Sequence, residues 1–258
     1  MASASAVRLA VAVAVAFFLL PLVGLLLRTP WSELGSELAT PAVRDALRLS
    51  LVCSLAATAL SVLFGVPLAW ALARWSFPGR SVVRALTTLP MIVPPVVGGV
   101  ALLLAFGRNG FAGRWLDETF GVTLPFTMAG AVLAETFVAM PFLVITVEAG
   151  LRSMNRRFED AAATLGARGW TTFRRVTLPL IAPSLWAGAA LAWARALGEF
   201  GATITFAGNL PGTTQTLPLA AYLALEGRLE AAIALSLVLL VVSLTVLVAL
   251  RDRFLPNL

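Results

Sequence analysis

EDAAATLGARGWTTFRRVTLP, residues Glu159–Pro179, is a charged stretch between two long apolar runs. Asn155 precedes it and suits the start of a helix over 156–165, because Asn accepts hydrogen bonds from the first helical turn. Gly166 suits the left-handed turn that ends such a helix. Pro179 restricts the residue before it and predicts a break ahead of the next long helix. We therefore expect a short helix, a glycine turn and a second short helix, lying outside the bilayer between two spans.

The composition is that of an integral membrane protein. The chain has 258 residues, of which 59% are hydrophobic and only 12% charged, and its mean hydropathy is +0.92. Soluble domains contain about 45–50% apolar and about 25% charged residues. One transmembrane domain, residues 1–258, is enough for this length.

Six apolar runs are long enough to cross a bilayer, whose hydrocarbon core needs about 20 helical residues. They predict an all-α membrane protein with six transmembrane helices, at about 6–27, 46–73, 84–106, 126–150, 180–206 and 229–250. For the first run a cleaved signal peptide is the alternative, and its length favours a retained helix. The polar connections are predicted as loops, at 28–45 (or a surface helix), 107–125 and 207–227.

The third predicted span contains LPMIVPPVVGGV, which includes Pro90, Pro94 and Pro95. Proline removes a backbone hydrogen bond, so this helix must be kinked or locally broken. In lipid the freed backbone groups are tolerated only where they face protein or a water-filled path. Both a packing kink and a place in a transport pathway are compatible with this pattern.

Charged residues also fall inside the predicted spans, where they are costly and tend to face the bundle interior. Glu135 lies near the middle of the fourth span, whereas Glu148 lies near its end and can reach water. Arg195 and Glu199 are four residues apart in the fifth span, so they share a helical face and can pair.

The arginines indicate the orientation, because cytoplasmic segments of membrane proteins carry the excess of basic residues. All 19 basic residues are arginines. With the N-terminus inside, inner segments carry about twice as many of them as outer segments. Both termini and the Glu159–Pro179 stretch are therefore predicted to face the cytoplasm. The net charge of +6 reflects this bias and gives no indication of nucleic-acid binding.

No pattern for catalysis is recognisable in the chain, so we expect no enzyme activity. Histidine is absent and Cys53 is the only cysteine, which excludes a histidine-ligated metal and an intrachain disulfide. Cys53 is predicted to be a small core residue. A phosphate-binding G-x-x-x-x-G-K-[ST] loop is also missing, so ATP would have to bind to a separate chain.

The charged stretch resembles a motif of the permease subunits of bacterial ABC importers. That motif is E-A-A, three residues, G, nine residues and I-x-L-P. Here it reads Asp160-Ala161-Ala162, Gly166 and Val176-Thr177-Leu178-Pro179. The resemblance implies the type I importer permease fold, with residues 155–178 as a coupling region that docks into a cleft of an ATPase subunit. Glu159 could serve in place of Asp160.

The same resemblance implies the partners. They are a second permease subunit forming a homodimer, two ATP-binding subunits that hold ATP and Mg²⁺, and an extracytoplasmic oxyanion-binding protein. The assembly would lie in the cell membrane of a bacterium or archaeon. No cofactor and no metal are expected in this chain.

A second resemblance concerns the substrate. Residues 193–222, WARALGEFGATITFAGNLPGTTQTLPLAAY, are similar to a region of molybdate permeases, and their first part is shared with sulfate and thiosulfate permeases. This implies molybdate, with tungstate accepted, and leaves sulfate or thiosulfate as the alternative. Arg195, Thr203 and Thr205 are candidates for contacting the dianion, whereas an Arg195–Glu199 pair that only ties helices together is the rival interpretation.

The gate is predicted in the Pro90–Gly99 stretch and the fifth span. Two other function classes stay open at this point. One is an ATP-independent anion channel or secondary transporter, and the other is a membrane scaffold or sensor that transports nothing.

Overall fold

The computed structural model describes residues 4–254, except for the side chains at 246, 247 and 249–254. Regular structure in this part of the chain is helical throughout, which confirms the all-α class. The helices are α1 (Ala4–Arg28), α2 (Leu34–Leu38), α3 (Pro41–Arg74), α4 (Arg80–Ile92), α5 (Pro95–Phe106), α6 (Phe111–Phe120), α7 (Met128–Ser153), α8 (Arg157–Thr164), α9 (Gly169–Thr172), α10 (Leu178–Leu197), α11 (Gly201–Phe206), α12 (Leu217–Leu225) and α13 (Leu229–Phe254).

Four helical segments are long and apolar enough to cross a bilayer, namely α1, α3, α7 and the continuous segment Gly169–Leu197. The bent pair α4–α5 makes a fifth. Helix α13 covers the predicted sixth span, and its apolar part within the described side chains is the shorter Leu229–Thr245. Six spans fit this arrangement, and both the count and the single-domain organisation stay predictions.

Helices α3, α7 and α10 form the centre of the bundle. Their contacts are close because small residues face bulky ones: Gly65 of α3 meets Leu143 and Val144 of α7, and Gly188 of α10 meets the Leu143 backbone. Between helices in lipid, such packing replaces the hydrophobic effect as the source of association. Helix α1 has no buried residue and lies at the edge, beside α13.

The third predicted span is broken, and more sharply than a kink. Helix α4 ends at Ile92, α5 begins at Pro95, and their axes differ by 120°. Val93 and Pro94 between them are extended, because two consecutive prolines remove two helical N–H groups. The Pro94 carbonyl accepts hydrogen bonds from the N–H groups of Val97 and Gly98, which restarts the helix.

The fifth span was predicted as one helix over 180–206, and this is wrong. Helix α10 ends at Leu197, and α11 begins at Gly201. Glu199 lies in the break, where its Oε1 accepts a hydrogen bond from the Ala202 N–H at 2.8 Å. A buried carboxylate thus satisfies a donor at the start of α11, and this local capping competes successfully with helix continuation.

Two predicted loops contain helices. Residues 107–125 include α6, and residues 207–227 include α12. Helix α12 has only nine residues, too few for a span, but its Leu217 and Leu219 are fully buried against neighbouring helices. Ser50 of α3 fixes its start, because the Ser50 hydroxyl accepts a hydrogen bond from the Leu217 N–H at 2.7 Å.

The Gly99→Ala variant should destabilise the contact between α5 and α11. A Cβ atom at Gly99 would lie 2.7 Å from the Thr205 Cβ and 2.9 Å from the Ala202 carbonyl oxygen. Overpacking of this kind costs about 1–3 kcal/mol. We expect a lower thermal unfolding midpoint in detergent.

The matched control is Gly24→Ala in α1, where no atom lies within 4 Å of the added Cβ. There, alanine raises helix propensity by about 1 kcal/mol and should leave the midpoint unchanged or higher. Equal midpoints for the two variants would contradict the close α5–α11 contact.

Candidate functional site

The coupling region 155–178 begins as the sequence predicted. The Asn155 Oδ1 accepts a hydrogen bond from the Arg157 N–H at 3.0 Å, and α8 follows. Gly166 has φ of +81°, which confirms the left-handed turn. The Gly166 N–H bonds the Ala163 carbonyl and the Ala167 N–H bonds the Ala162 carbonyl, each at 3.0 Å. This pair of bonds is the Schellman arrangement that closes a helix with glycine.

Pro179 does not interrupt the helix, so the predicted break before α10 is absent. Residues Phe173–Thr177 form a π turn that joins α9 directly to α10, and Leu178 keeps helical dihedral angles. The Leu178 N–H donates to the Phe173 carbonyl five residues back. The wider turn shifts the hydrogen-bond register, so the proline falls in the first turn of α10, where its missing N–H is tolerated.

Helix α8 presents an exposed face that combines small, apolar and acidic residues. Asp160, Ala161 and Ala163 are exposed, and Ala162 is half-buried. Phe158 is 54% exposed and Leu165 at the helix end is 89% exposed. Small side chains let another surface approach the backbone closely, and exposed large apolar residues are typical of a docking surface. We call these residues, 158 and 160–165, the α8 face, and two of them, Asp160 and Ala163, also line a cleft between α8 and the end of α3.

Glu159 turns the other way, toward the membrane bundle. Its Oε2 lies 3.2 Å from the Arg74 Nη2 at the end of α3, and its Oε1 accepts a hydrogen bond from the Thr177 hydroxyl at 2.8 Å. The Glu159 carboxylate is therefore already engaged within the chain, and its use in place of Asp160 for docking stays a prediction. Asp160 is the acid that the α8 face exposes.

A second polar cluster lies beside this end of α3. The Glu148 carboxylate binds Arg84 of α4 at 2.6 Å and Arg152 at 2.7 Å. The Leu72 carbonyl, near the end of α3, accepts hydrogen bonds from both Arg80 and Arg84. Glu148 was expected to reach water, but its side chain is only 9% exposed, because α4 packs over it.

The predicted charge pair in the fifth span is present. The Arg195 Nη2 lies 2.5 Å from the Glu199 Oε2, with side chains 27% and 1% exposed. Glu135 faces the interior, as predicted, and its Oε2 has no hydrogen-bond partner among the described residues. Thr203 is fully buried, and its hydroxyl likewise has no partner in the described part of the chain.

The remaining candidate path residues are only partly brought together. Pro95 contacts Gly201 across the α5–α11 interface, and Thr205 contacts Gly99 on the same interface. This contact adjoins the break that holds Glu199. Pro94 is exposed at the bend, and Pro90 lies one turn before it in α4, outside this contact.

The sequence did not predict that Glu199 makes two contacts, an ion pair with Arg195 and a hydrogen bond that caps α11. The sequence signal was the glycine on each side, Gly198 and Gly201, which favours a local break. Cys53 is fully buried in the bundle core, as predicted. Among the residues whose side chains are described, no group of three or more Cys, Asp or Glu residues is arranged to hold a metal ion.

Comparison with curated proteins shows high similarity to permeases. The chain is 48% identical over 241 residues to the molybdenum transport system permease protein ModB of Mycobacterium tuberculosis, covering 93% of this chain and 90% of that protein. It is 45% identical to ModB of Escherichia coli, covering 69% of this chain and 78% of that protein. The sulfate transport system permease protein CysT of E. coli is 37% identical, covering 92% and 87%.

Solved structures show the same fold at low sequence identity. A bacterial ABC transporter involved in the import of the acidic polysaccharide alginate matches with a TM-score of 0.75 at 20% identity, covering 98% of this chain and 96% of that one. The inward-facing MetNI methionine ABC transporter matches with a TM-score of 0.59, covering 83% and 97%. Both neighbours are ABC transporters that share this fold, so the predicted fold class is confirmed.

The family model described as "binding-protein-dependent transport system inner membrane component" matches residues 61–256. This range holds the coupling region, both broken spans and the Arg195–Glu199 pair. The chain therefore belongs to the family of binding-protein-dependent inner-membrane permeases of ABC transporters.

Proposed function

We propose that this chain is the membrane-spanning subunit of an ATP-driven importer of molybdate that also accepts tungstate. The observation that carries the proposal is the 48% identity to a molybdenum permease over 93% of the chain, against 37% over a similar length for a sulfate permease. Residues 193–222, whose pattern resembles molybdate permeases, contain the break between α10 and α11.

The Arg195–Glu199 pair suits a passage that releases its anion. Arg195 is the basic residue within this span, and its side chain is partly exposed. Glu199 neutralises it, and the Ala202 N–H holds Glu199 in place. A neutralised arginine attracts a dianion without binding it tightly, which suits a subunit that receives substrate from a separate binding protein. Thr205 already donates its hydroxyl to the Gly201 carbonyl, so Thr203 is the better hydroxyl candidate.

Energy enters through the coupling region. The α8 face carries the Asp160-Ala161-Ala162 motif and docks into a cleft on an ATPase subunit, which binds ATP and Mg²⁺ and performs the hydrolysis. The complete importer has two copies of this permease, two ATPase subunits and an extracytoplasmic binding protein. ATP-driven closure of the ATPase pair moves the coupling regions as rigid bodies and opens the path to the opposite side.

Both termini lie on the cytoplasmic side in this proposal, because the coupling region must meet a cytoplasmic ATPase. The arginines of the coupling region and of the α3–α4 connection support this orientation. The side chains of Arg251 and Arg253, which belong to the same count, lie outside the described residues.

An importer of sulfate or thiosulfate is the second candidate. The sulfate permease CysW of Synechococcus elongatus is 44% identical over 69% of this chain, close to the value for E. coli ModB over the same share. All these substrates are tetrahedral dianions, so the choice depends on the affinity of the binding protein that delivers them.

Calorimetric titration of the partner binding protein should show tight binding of molybdate and tungstate and at least about tenfold weaker binding of sulfate, equivalent to about 1.4 kcal/mol. Uptake by a permease-deletion strain carrying this chain should follow the same order. Preference for sulfate in both measurements would replace the proposal with the second candidate.

Purification of this chain without any nucleotide-binding subunit would favour an ATP-independent transporter.

The Gly166→Val variant should uncouple ATP hydrolysis from transport. A β-branched residue at φ of +81° is strained by about 1–2 kcal/mol, so the turn after α8 must rearrange. No atom lies within 4 Å of the added Cβ, so folding and membrane insertion should be unaffected. The measurement is anion uptake per ATP hydrolysed in proteoliposomes.

The conservative variant Gly166→Asn tests the cause, because asparagine adopts left-handed dihedral angles more readily than other residues with side chains. It should retain most of the coupling. Normal uptake per ATP in Gly166→Val would contradict the role of this turn.

The Arg195→Ala variant should lower both stability and anion uptake. It leaves Glu199 buried without its cation, and breaking a buried ion pair costs about 3–5 kcal/mol. The double variant Arg195→Ala/Glu199→Gln should recover the stability, since the amide oxygen still accepts from Ala202 and no charge is left unpaired.

Uptake in that double variant separates the two roles of the pair. We expect uptake to stay low, because the positive charge that attracts the dianion is missing. If uptake returns together with the thermal unfolding midpoint, the pair only ties helices together.

A further inference from the structure

An ion pair crosses the cleft between α8 and the end of α3. Arg74 and Glu159 lie 3.2 Å apart, and their side chains are only 9% and 20% exposed. The second carboxylate oxygen of Glu159 is held by the Thr177 hydroxyl. One side chain of α8 therefore connects to α3 on one side and to the π turn that begins α10 on the other.

An open cleft separates α8 from the end of α3 beside this ion pair. It has a volume of about 340 Å³ and is lined by Trp70 of α3, Ala163 of α8 and Phe173 of the π turn, among others. Tightly packed helices transmit movement through many van der Waals contacts. Across an open cleft such contacts are missing, so the polar link carries a larger share of any force between α8 and α3.

The receiving end of the link is a junction of several helices. Arg74 is the last residue of α3, and two residues before it the Leu72 carbonyl accepts hydrogen bonds from Arg80 and Arg84 of α4. Arg84 in turn binds Glu148 of α7. A displacement at Arg74 therefore acts on α3, α4 and α7 together, and α4 leads to the sharp bend at Pro94.

We propose that Arg74 and Glu159 form a strut that passes movement of the coupling region to the membrane bundle. They are positioning residues for energy coupling, whereas the ATPase is contacted by the α8 face. The inference rests on the proposed function, in which residues 155–178 dock on an ATPase subunit. Without the strut, α8 is joined to the spans through its flanking segments and its contacts with α9 and the π turn, and the cleft absorbs part of its movement.

The test uses the complete complex in proteoliposomes, with its ATPase subunits, its binding protein and molybdate. Uptake and ATP hydrolysis are measured together. Arg74→Ala and Glu159→Ala should each lower uptake per ATP by about fivefold or more, the lower range of coupling between distinct sites. Loss of an ion pair that only stabilises the fold would not change this ratio.

Charge reversal tests whether the two residues act as a pair. Arg74→Glu and Glu159→Arg should each lower molybdate uptake per ATP. The double variant Arg74→Glu/Glu159→Arg should show a higher uptake per ATP than either single variant. Restoration should be incomplete, because an acidic residue in the last turn of α3 is unfavourable toward the helix dipole. A double variant no better than the single variants would overturn the pairing.

Two controls keep the test decisive. Arg228→Ala removes another arginine–glutamate ion pair, which joins the turn between α12 and α13 to Glu37 of α2. This variant should leave uptake per ATP unchanged. Thr177→Val removes only the hydroxyl that holds Glu159 and should lower the ratio partially, even if the charge-removing variants fail to assemble. A ratio within about twofold of Arg228→Ala in all these variants would overturn the strut.

Failure of the proposed function would look different. The unmodified complex would then lack a copurifying ATPase subunit or would take up no molybdate. If the unmodified complex transports molybdate and the variants take up as much molybdate per ATP as it does, only the strut is wrong.

Discussion

A bilayer core offers no hydrogen-bond partners, so the backbone groups freed by a break in a transmembrane helix must face protein or a water-filled path. This constraint explains the arrangement around the two broken spans. At Pro94 the free carbonyl accepts bonds from the next turn, and at Glu199 a carboxylate caps the start of α11. The two breaks adjoin each other, because Gly99 and Gly201 let α5 and α11 come into close contact. Glu199 in the second break is buried, whereas Pro94 in the first break is exposed.

Several charged side chains in the described part of the bundle are likewise paired, and two of these pairs lie at opposite ends of α10. One is the Arg195–Glu199 pair, at the break between α10 and α11. The other lies at the opposite end of α10, where Arg74 and Glu159 join the coupling region to α3. The proposed anion contact uses the first pair, and the proposed energy coupling uses the second.

Local signals were the ones that the sequence predicted well. Asn155 and Gly166 set the bounds of α8 because a cap and a left-handed turn depend only on neighbouring backbone. Pro179 was misjudged for the opposite reason. Its local preference favours a break, but the surrounding packing holds α10 in one piece through a π turn. Helix α12 was missed because nine residues are too few for a span, and only burial against α3 and α13 explains it.

The sequence by itself determined that this protein crosses the membrane, where its coupling motif lies and to which family of permeases it belongs. These properties follow from hydropathy, short-range turn chemistry and a spaced motif, all of which are readable along the chain. Only the tertiary structure decided which way each charge turns. Glu159 and Asp160 are adjacent in sequence, yet one binds Arg74 and the other faces solvent, because helix geometry directs neighbouring side chains to different sides. Partners such as Arg84 and Glu148 are distant in sequence, so only the folded bundle brings them together.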